Sequence, residues 1–290
     1  MIKIFLIKRA HFIPDKLYLK IVFFMRFHRM LSFKRPETLN EKLQWLKIYD
    51  RRPEYTKLVD KYEVRKVIAD AIGEDHLIPL LGVWDSADEI DYDRLPNQFV
   101  LKCTHDSKSI VICKDKKNFD FEAAKKKLNK KLKTDFYLMG REWPYKDVKP
   151  RIIAEKYMVD ESGVELKDYK IMCFNGNPDN MMVCYNRTDD HTDFKFFDLS
   201  WNWLNYICGD EDLGGVDLPE KPKGYNEMMT IARQLSRDYY FTRIDLYDIN
   251  GHIYFGEITL HPASGLGKVI NSTADRELGK KLILPLLDEN

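Results

Sequence analysis

Residues 243–259 read Arg243-Ile-Asp245-Leu-Tyr-Asp248-Ile-Asn250-Gly251-His-Ile-Tyr-Phe-Gly-Glu257-Ile-Thr259, two apolar, aromatic-rich runs around Asp248-Ile249-Asn250-Gly251. The pattern predicts a β-hairpin, because Asn-Gly supplies the positive φ that a tight turn requires. Cross-strand register decides which side chains share a face, so this segment constrains the fold more than any other. A three-residue turn, Ile249-Asn250-Gly251, pairs Asp248 with His252 and sets Arg243 opposite Glu257, with Asp245 diagonal to Glu257 on the same face. A two- or four-residue turn sends the two carboxylates to opposite faces. In the first register an arginine and two acids converge, as binding of Mg²⁺ and phosphate groups demands. In the second the segment is an ordinary half-exposed hairpin with a charged outer face.

The 290 residues are long enough for one large domain or two to three lobes around a cleft, and 44% hydrophobic with 13% aromatic content marks a globular chain. The 47 basic and 46 acidic residues leave a net charge of +1, which argues against a dedicated nucleic-acid binder. Cys103, Cys113, Cys173, Cys184 and Cys208 form no C-x-x-C pair and sit among apolar neighbours, as expected of reduced, mostly buried thiols in a cytoplasmic protein. Ile21-Val-Phe-Phe-Met25 is too short to span a bilayer or to serve as a signal core. Between Lys3 and Arg35, nine Lys/Arg face one acid, Asp15. The favoured expectation is that this segment packs its apolar side on its own domain; the alternative is peripheral contact with an anionic membrane at the inner face.

Residues 37–70 read as helical, with Asn40 as a cap and a break at Arg51-Arg-Pro53; a second helix runs from Lys57 through Ile68 to a stop at Gly73. Strands are predicted at 77–84, 98–103, 110–113, 151–158, 168–174, 180–186 and 194–198, with helices at 120–135 and 225–238. The lysine run at 125–133 reads as a solvated helix face. Strands and helices do not alternate as in a doubly wound sheet, so α+β lobes are expected.

Four features recur in an order that suits one nucleotide site. Lys102 ends the strand Phe99-Val-Leu-Lys102 before a small polar loop, whose N–H groups can cover phosphate. Ile152-Ile-Ala-Glu155-Lys156-Tyr157-Met158 leads from a strand into a polar link that can frame an adenine edge, with Glu155 accepting from its amino group. Asp168 and Lys170 share a strand face by period two, an acid suited to ribose hydroxyls beside a cation. Arg243, Asp245 and Glu257 complete the set.

On these residues the chain resembles the TupA-like branch of the ATP-grasp superfamily, found in bacterial cell-surface polysaccharide gene clusters. The resemblance runs from about residue 36 to 267. It is carried by Thr38-Leu-Asn-Glu-Lys-Leu-Gln-Trp-Leu-Lys47, Asp60-Lys61-Tyr-Glu-Val-Arg65, Leu95-Pro-Asn-Gln-Phe-Val-Leu-Lys-Cys-Thr-His-Asp-Ser107 and Arg141-Glu-Trp-Pro-Tyr-Lys146. Asp168-Tyr-Lys-Ile-Met-Cys-Phe-Asn-Gly176, Arg243-Ile-Asp-Leu-Tyr247 and Tyr254-Phe-Gly-Glu-Ile-Thr-Leu-His-Pro-Ala-Ser-Gly265 complete it.

The resemblance implies an α+β ATP-grasp fold, two α+β lobes sandwiching ATP, with a helical N-terminal region. The expected division is 1–97 helical, 98–153 small lobe and 154–290 C-terminal lobe with the metal site. Lys61 and Lys102 would contact phosphates, with His105 and Ser107 in the phosphate loop. Glu155, Lys156, Tyr157 and Met158 would frame adenine, and Asp168 would hold ribose. Asp245, Glu257 and Thr259 would bind Mg²⁺, while Arg243, Lys102 and Lys170 would act on the transferred phosphoryl group. Two departures stand out: the phosphate loop His105-Asp106-Ser107-Lys108-Ser109 has no glycine, and Thr259 stands where many superfamily members carry a metal-binding Asn.

The implied activity is an ATP-dependent carboxylate–amine ligase of capsule or exopolysaccharide synthesis, acting on a uronic acid, sugar or amino acid, on a lipid-linked glycan in one version. Two rivals remain. Asp91-Tyr-Asp93 matches the D-x-D pattern of glycosyltransferases, although turn and capping chemistry explains it as well. The glycine-free loop also suits a degenerate nucleotide-binding scaffold. Glu142, Trp143 and Tyr145 read either as acceptor contacts or as structural anchors.

Overall fold

The computed structural model of the chain describes residues 12–107, 109–188, 191–208, 218–268 and 270–285. The chain forms two compact units, Met1–Arg51 with Asp160–Asn290, and Arg52–Val159. The break expected after residue 97 lies inside the second unit, and that after 153 lies within a strand, Ile152–Lys156. Among the described residues no helix is long and apolar enough to cross a membrane.

The first unit opens with α1 (Asp15–Phe27) and α2 (Leu39–Tyr49). α1 buries Tyr18, Leu19 and Phe23 but leaves Leu17, Phe24 and Met25 exposed. α2 starts at Thr38, not at Asn40 as the sequence suggested. The Thr38 hydroxyl accepts the Glu41 N–H and the Glu41 carboxylate accepts the Thr38 N–H, a reciprocal box that satisfies two orphan donors at once. Asn40 therefore sits inside the first turn, donating its N–H to Asp275 Oδ1 at 2.9 Å.

The second unit contains α3 (Tyr55–Val59), α4 (Val64–Ile72), β1 (Leu80–Trp84), β2 (Phe99–Cys103), β3 (Val111–Cys113), α5 (Phe121–Leu132), α6 (Tyr137–Gly140) and β4 (Ile152–Lys156). The single helix expected across 57–68 is two, because the Asp60 carboxylate captures the N–H groups of Tyr62 and Glu63 in a turn between them. Gly73, at φ 104°, ends α4 as expected. The strands form an antiparallel sheet in the order β1-β4-β2-β3. α5 presents Ala124 and Leu128 to the core, which includes Phe99, Leu101, Cys103 and Ile152, and exposes Lys126, Lys127 and Lys130, whereas Lys125 and Lys131 of the expected solvated run are half-buried.

The chain returns to the first unit with β5 (Asp168–Phe174), β6 (Asn177–Tyr185), β7 (Asp193–Asp198), β8 (Trp203–Leu204), α7 (Tyr225–Ser236), β9 (Phe241–Ile249), β10 (His252–Thr259) and α8 (Ser272–Lys281). These strands make an antiparallel sheet ordered β10-β9-β5-β6-β7-β8, with α7 packed on β5, β6 and β9.

The β9–β10 turn corrects the expected register. Ile249 pairs with His252 across a two-residue turn, with Asn250 at φ 55° and Gly251 at φ 89°. Positive φ at both positions is the primed turn whose twist matches the strands. Alone, this turn would separate the acids. A bulge between Phe255 and Glu257 inserts one residue, so Glu257 lies directly opposite Asp245 and Thr259 opposite Arg243. Gly256 permits it: a Cβ there would come within 3.0 Å of both the Asp245 carbonyl oxygen and the Tyr247 ring.

Candidate functional site

The first unit gathers charge on three adjacent strands. β5 pairs with β9 so that Lys170 lies opposite Asp245, and β9 pairs with β10 as described. Arg243 grips Asp245 twice, from Nε to Oδ1 and from Nη2 to Oδ2, each at 2.7 Å, and donates from Nη2 to Thr259 Oγ1 at 3.0 Å. The Lys170 ammonium bridges Asp245 Oδ2, at 2.5 Å, and Asp168 Oδ2. Arg187, which sequence reasoning passed over, lies 3.6 Å from the same Asp168 oxygen. Burial disfavours every charge here, but the pairing outweighs it. Asp168 and Asp245 raise the Lys170 pKa above its ordinary value, Asp245 and Glu257 do the same for Arg243, and Arg243 and Lys170 hold Asp245 below the usual carboxylate range.

Two acidic groups keep spare capacity. Half-buried Glu257 makes no hydrogen bond or ion pair among the described residues. Asp168 Oδ1 is buried without a hydrogen-bond partner. Among the described residues no three His, Cys, Asp or Glu form a closed metal-binding cluster. Mg²⁺ does not need one, since it takes one or two carboxylates with substrate phosphates and water. Glu257 beside Asp245 fits that requirement, and the orphaned Asp168 oxygen fits a hydroxyl donor.

In the second unit, β2 and β4 set Lys102 diagonal to Glu155, and their charges meet at 2.6 Å. Arg65, on α4, approaches the other Glu155 oxygen at 3.3 Å. Glu155, read from sequence as an acceptor for an adenine amino group, is thus engaged by two cations. Arg65 lies four residues after Lys61 in sequence, close enough to have flagged it. Lys156 is exposed, and Tyr157 and Met158 are half-buried just before the end of this unit.

The loop after Lys102 folds inward. Lys61 donates its N–H to the Thr104 carbonyl at 3.1 Å and its ammonium to the Asp106 carbonyl, and Ser109 Oγ accepts the Cys103 N–H at 2.8 Å. His105 and Asp106 are buried while Ser107 is exposed; Lys108 lies outside the described residues. Burial lowers the His105 pKa, so the ring stays neutral near pH 7; its nitrogens form no well-aligned hydrogen bond, although the Lys131 and Thr134 carbonyls are near. Among the described residues the Asp106 carboxylate has no hydrogen bond and is offset by the Lys131 ammonium at 3.6 Å.

The remaining sequence motifs resolve structurally. Asp91 accepts the Asp93 N–H within a 3₁₀ turn and pairs with Arg94, which is capping chemistry. Trp143 packs against Tyr55 and Tyr145 against Phe136, with ring centroids 6.1 and 4.7 Å apart, so this segment anchors its unit. Cys103, Cys113, Cys173 and Cys184 are buried and Cys208 is exposed; all are free thiols. Burial pushes Cys173 and Cys184 up to about 12 and thereby keeps them inert.

The chain was compared with known proteins. No curated protein matches it. Solved structures with a similar backbone include D-alanine–D-alanine ligase from Bacillus anthracis complexed with ATP, at 16% identity and TM-score 0.43 over 77% of this chain and 61% of that one. The D-cycloserine synthetase DcsG gives 16% identity and TM-score 0.41 over 79% and 71%. The ATP-grasp ligase PsnB, complexed with minimal precursor, Mg and ADP, gives 8% and 0.40 over 84% and 65%. The chain thus spans about three fifths of the length of the Bacillus anthracis ligase. A family model, TupA-like ATPgrasp, matches residues 41–283. With its α+β antiparallel architecture of the ATP-grasp fold, the chain belongs to the TupA-like ATPgrasp family.

Proposed function

We propose that the protein is an ATP-dependent carboxylate–amine ligase that activates a carboxylate as an acyl phosphate and joins it to an amine. The observation that carries this reading is the direct pairing of Asp245 with Glu257 beside the half-buried Arg243 and Lys170. Two fixed cations next to an acid pair suit stabilisation of charge that develops on a transferring phosphoryl group. Lys102 and Lys61 are candidates for phosphate contact, with Glu155, itself paired to Arg65, holding Lys102 in a defined orientation. Asp168 is the candidate for ribose, and Lys156, Tyr157 and Met158 for the adenine edge. Mg²⁺, when bound, would neutralise phosphate charge; Asp245 and Glu257 would hold it. The family points to a uronic acid, sugar or amino acid of a bacterial surface polysaccharide as co-substrate. ADP release with a panel of uronic and amino acids as carboxylates, each with candidate amines, tests the reaction. Release of ADP and phosphate only when both partners are present is expected; AMP and pyrophosphate would contradict the acyl-phosphate route.

A second reading, a nucleotide-binding scaffold without catalysis, is favoured by the inward fold of His105 and Asp106, which leaves Ser107 as the exposed described side chain of the loop tip. Binding of Mg·ATP with no turnover across the panel would support it.

Peripheral attachment to a membrane is part of the proposal. On α1, exposed Leu17 and Phe24 lie on one face with exposed Lys16 and Lys20, an arrangement suited to anionic lipid. Co-sedimentation with phosphatidylglycerol vesicles, weakened by salt and lost in Leu17→Glu/Phe24→Glu, is expected. Equal behaviour of the variant and the parent would rule it out.

A further inference from the structure

Counting the oxygen lone pairs in the first unit limits how many divalent ions its acids can hold. A carboxylate offers about four acceptor sites and a hydroxyl two. Asp245 already accepts three N–H bonds, two from Arg243 and one from Lys170, which leaves one site, on Oδ1. Glu257 is open on both oxygens among the described residues. Thr259 Oγ1 has given one of its two lone pairs to Arg243 Nη2 at 3.0 Å. Any ion on that hydroxyl would sit beside a fixed guanidinium. The cluster also carries three permanent cations, Lys170, Arg243 and, beside Asp168, Arg187, against the carboxylates Asp168, Asp245 and Glu257. Its formal charge of zero becomes +2 with a single divalent ion, a value suited to anionic phosphate.

Resting on the ligase reading above, we propose that the chain holds one exchangeable divalent ion per nucleotide, on Glu257 and the free Asp245 lone pair. Thr259 is then a positioning residue for Arg243, not a metal ligand. Cross-strand register supports the assignment: Thr259 lies directly opposite Arg243, whereas Glu257 lies directly opposite Asp245. Ion binding and guanidinium orientation are thus divided between neighbouring rungs of one hairpin. Lys170, held between Asp168 and Asp245, supplies covalently the second positive charge that another ion would bring.

Bound Mn²⁺ counted by electron paramagnetic resonance, on the full chain saturated with a non-hydrolysable ATP analogue, tests the proposal. One Mn²⁺ per chain is expected. Thr259→Val should keep that count and the Mn²⁺ affinity within about twofold, while kcat falls about tenfold as Arg243 loses one of its three hydrogen bonds. Thr259→Ser, which retains the hydroxyl, should restore kcat. Two Mn²⁺ per chain, with one lost in Thr259→Val, would overturn this proposal and leave the ligase reading standing. No Mn²⁺ bound at all would remove both.

Discussion

Glu257→Gln is expected to lower Mg²⁺-dependent ADP formation by about 10²–10³-fold while leaving the protein folded. A loss of that order follows when one group that stabilises transition-state charge is removed. Glu257 is suited to separating chemistry from stability, because its carboxylate makes no hydrogen bond or ion pair among the described residues. The amide keeps the shape and one oxygen but not the charge that draws a divalent ion. Stability should stay within about 1 kcal/mol of the parent, since the substitution breaks no hydrogen bond and removes only the longer-range attraction to Arg243. Steady-state ADP release and urea unfolding on the same preparation provide both numbers. Activity within a few-fold of the parent would mean that Glu257 does not hold the metal.

Asp245→Asn should act in the opposite way, through the fold. Asp245 is 2% exposed and neutralises Arg243 and Lys170, so the amide leaves two half-buried cations short of a partner. Breaking one side of a buried charge network costs about 3–5 kcal/mol. Against a typical total of about 5–15 kcal/mol, that is a large part of the stability. The same pairing fixes a pH dependence. The depressed Asp245 pKa contributes stability that is present above the unfolded carboxylate value of about 3.9 and is lost as pH falls through the lower, folded value. The raised Lys170 pKa contributes stability fully present below the unfolded value of about 10.4 and lost as pH rises through the higher, folded value. Urea midpoints of parent and variant should differ most between these limits and converge in acid. Equal midpoints at pH 7 would show that the network is not stabilising in this sense.

Much of this was legible in the sequence, and the failures have physical causes. Alternation of apolar and polar residues marked β2, β5, β9 and β10 within a residue or two of their ends. Asn250-Gly251 announced the hairpin, but its two-residue turn alone forecasts separated acids. The bulge at Gly256 restores them, and nothing in local hydrophobic pattern distinguishes a bulge glycine from one that merely weakens a strand. Ion-pair partners were less legible. Arg65 and Glu155 are 90 residues apart, so their contact depends on β4 lying between β1 and β2. The inward fold of His105 and Asp106 was hidden for a similar reason, because it depends on Lys61 from the turn before α4 and Lys131 from α5. Thr38 was overlooked in favour of Asn40 since both are good caps, and only the reciprocal Glu41 bond decides between them.

Recognition of a metal-complexed nucleotide underlies the proposed activity, with Asp245 and Glu257 as the proposed metal ligands and Lys102 as a proposed phosphate contact. Calorimetric titration of the full chain with a non-hydrolysable ATP analogue, with and without Mg²⁺, measures this directly. One analogue bound per chain is expected, with affinity that falls at least tenfold without Mg²⁺ or in Lys102→Met. No heat of binding, or binding indifferent to both the metal and Lys102, would contradict it.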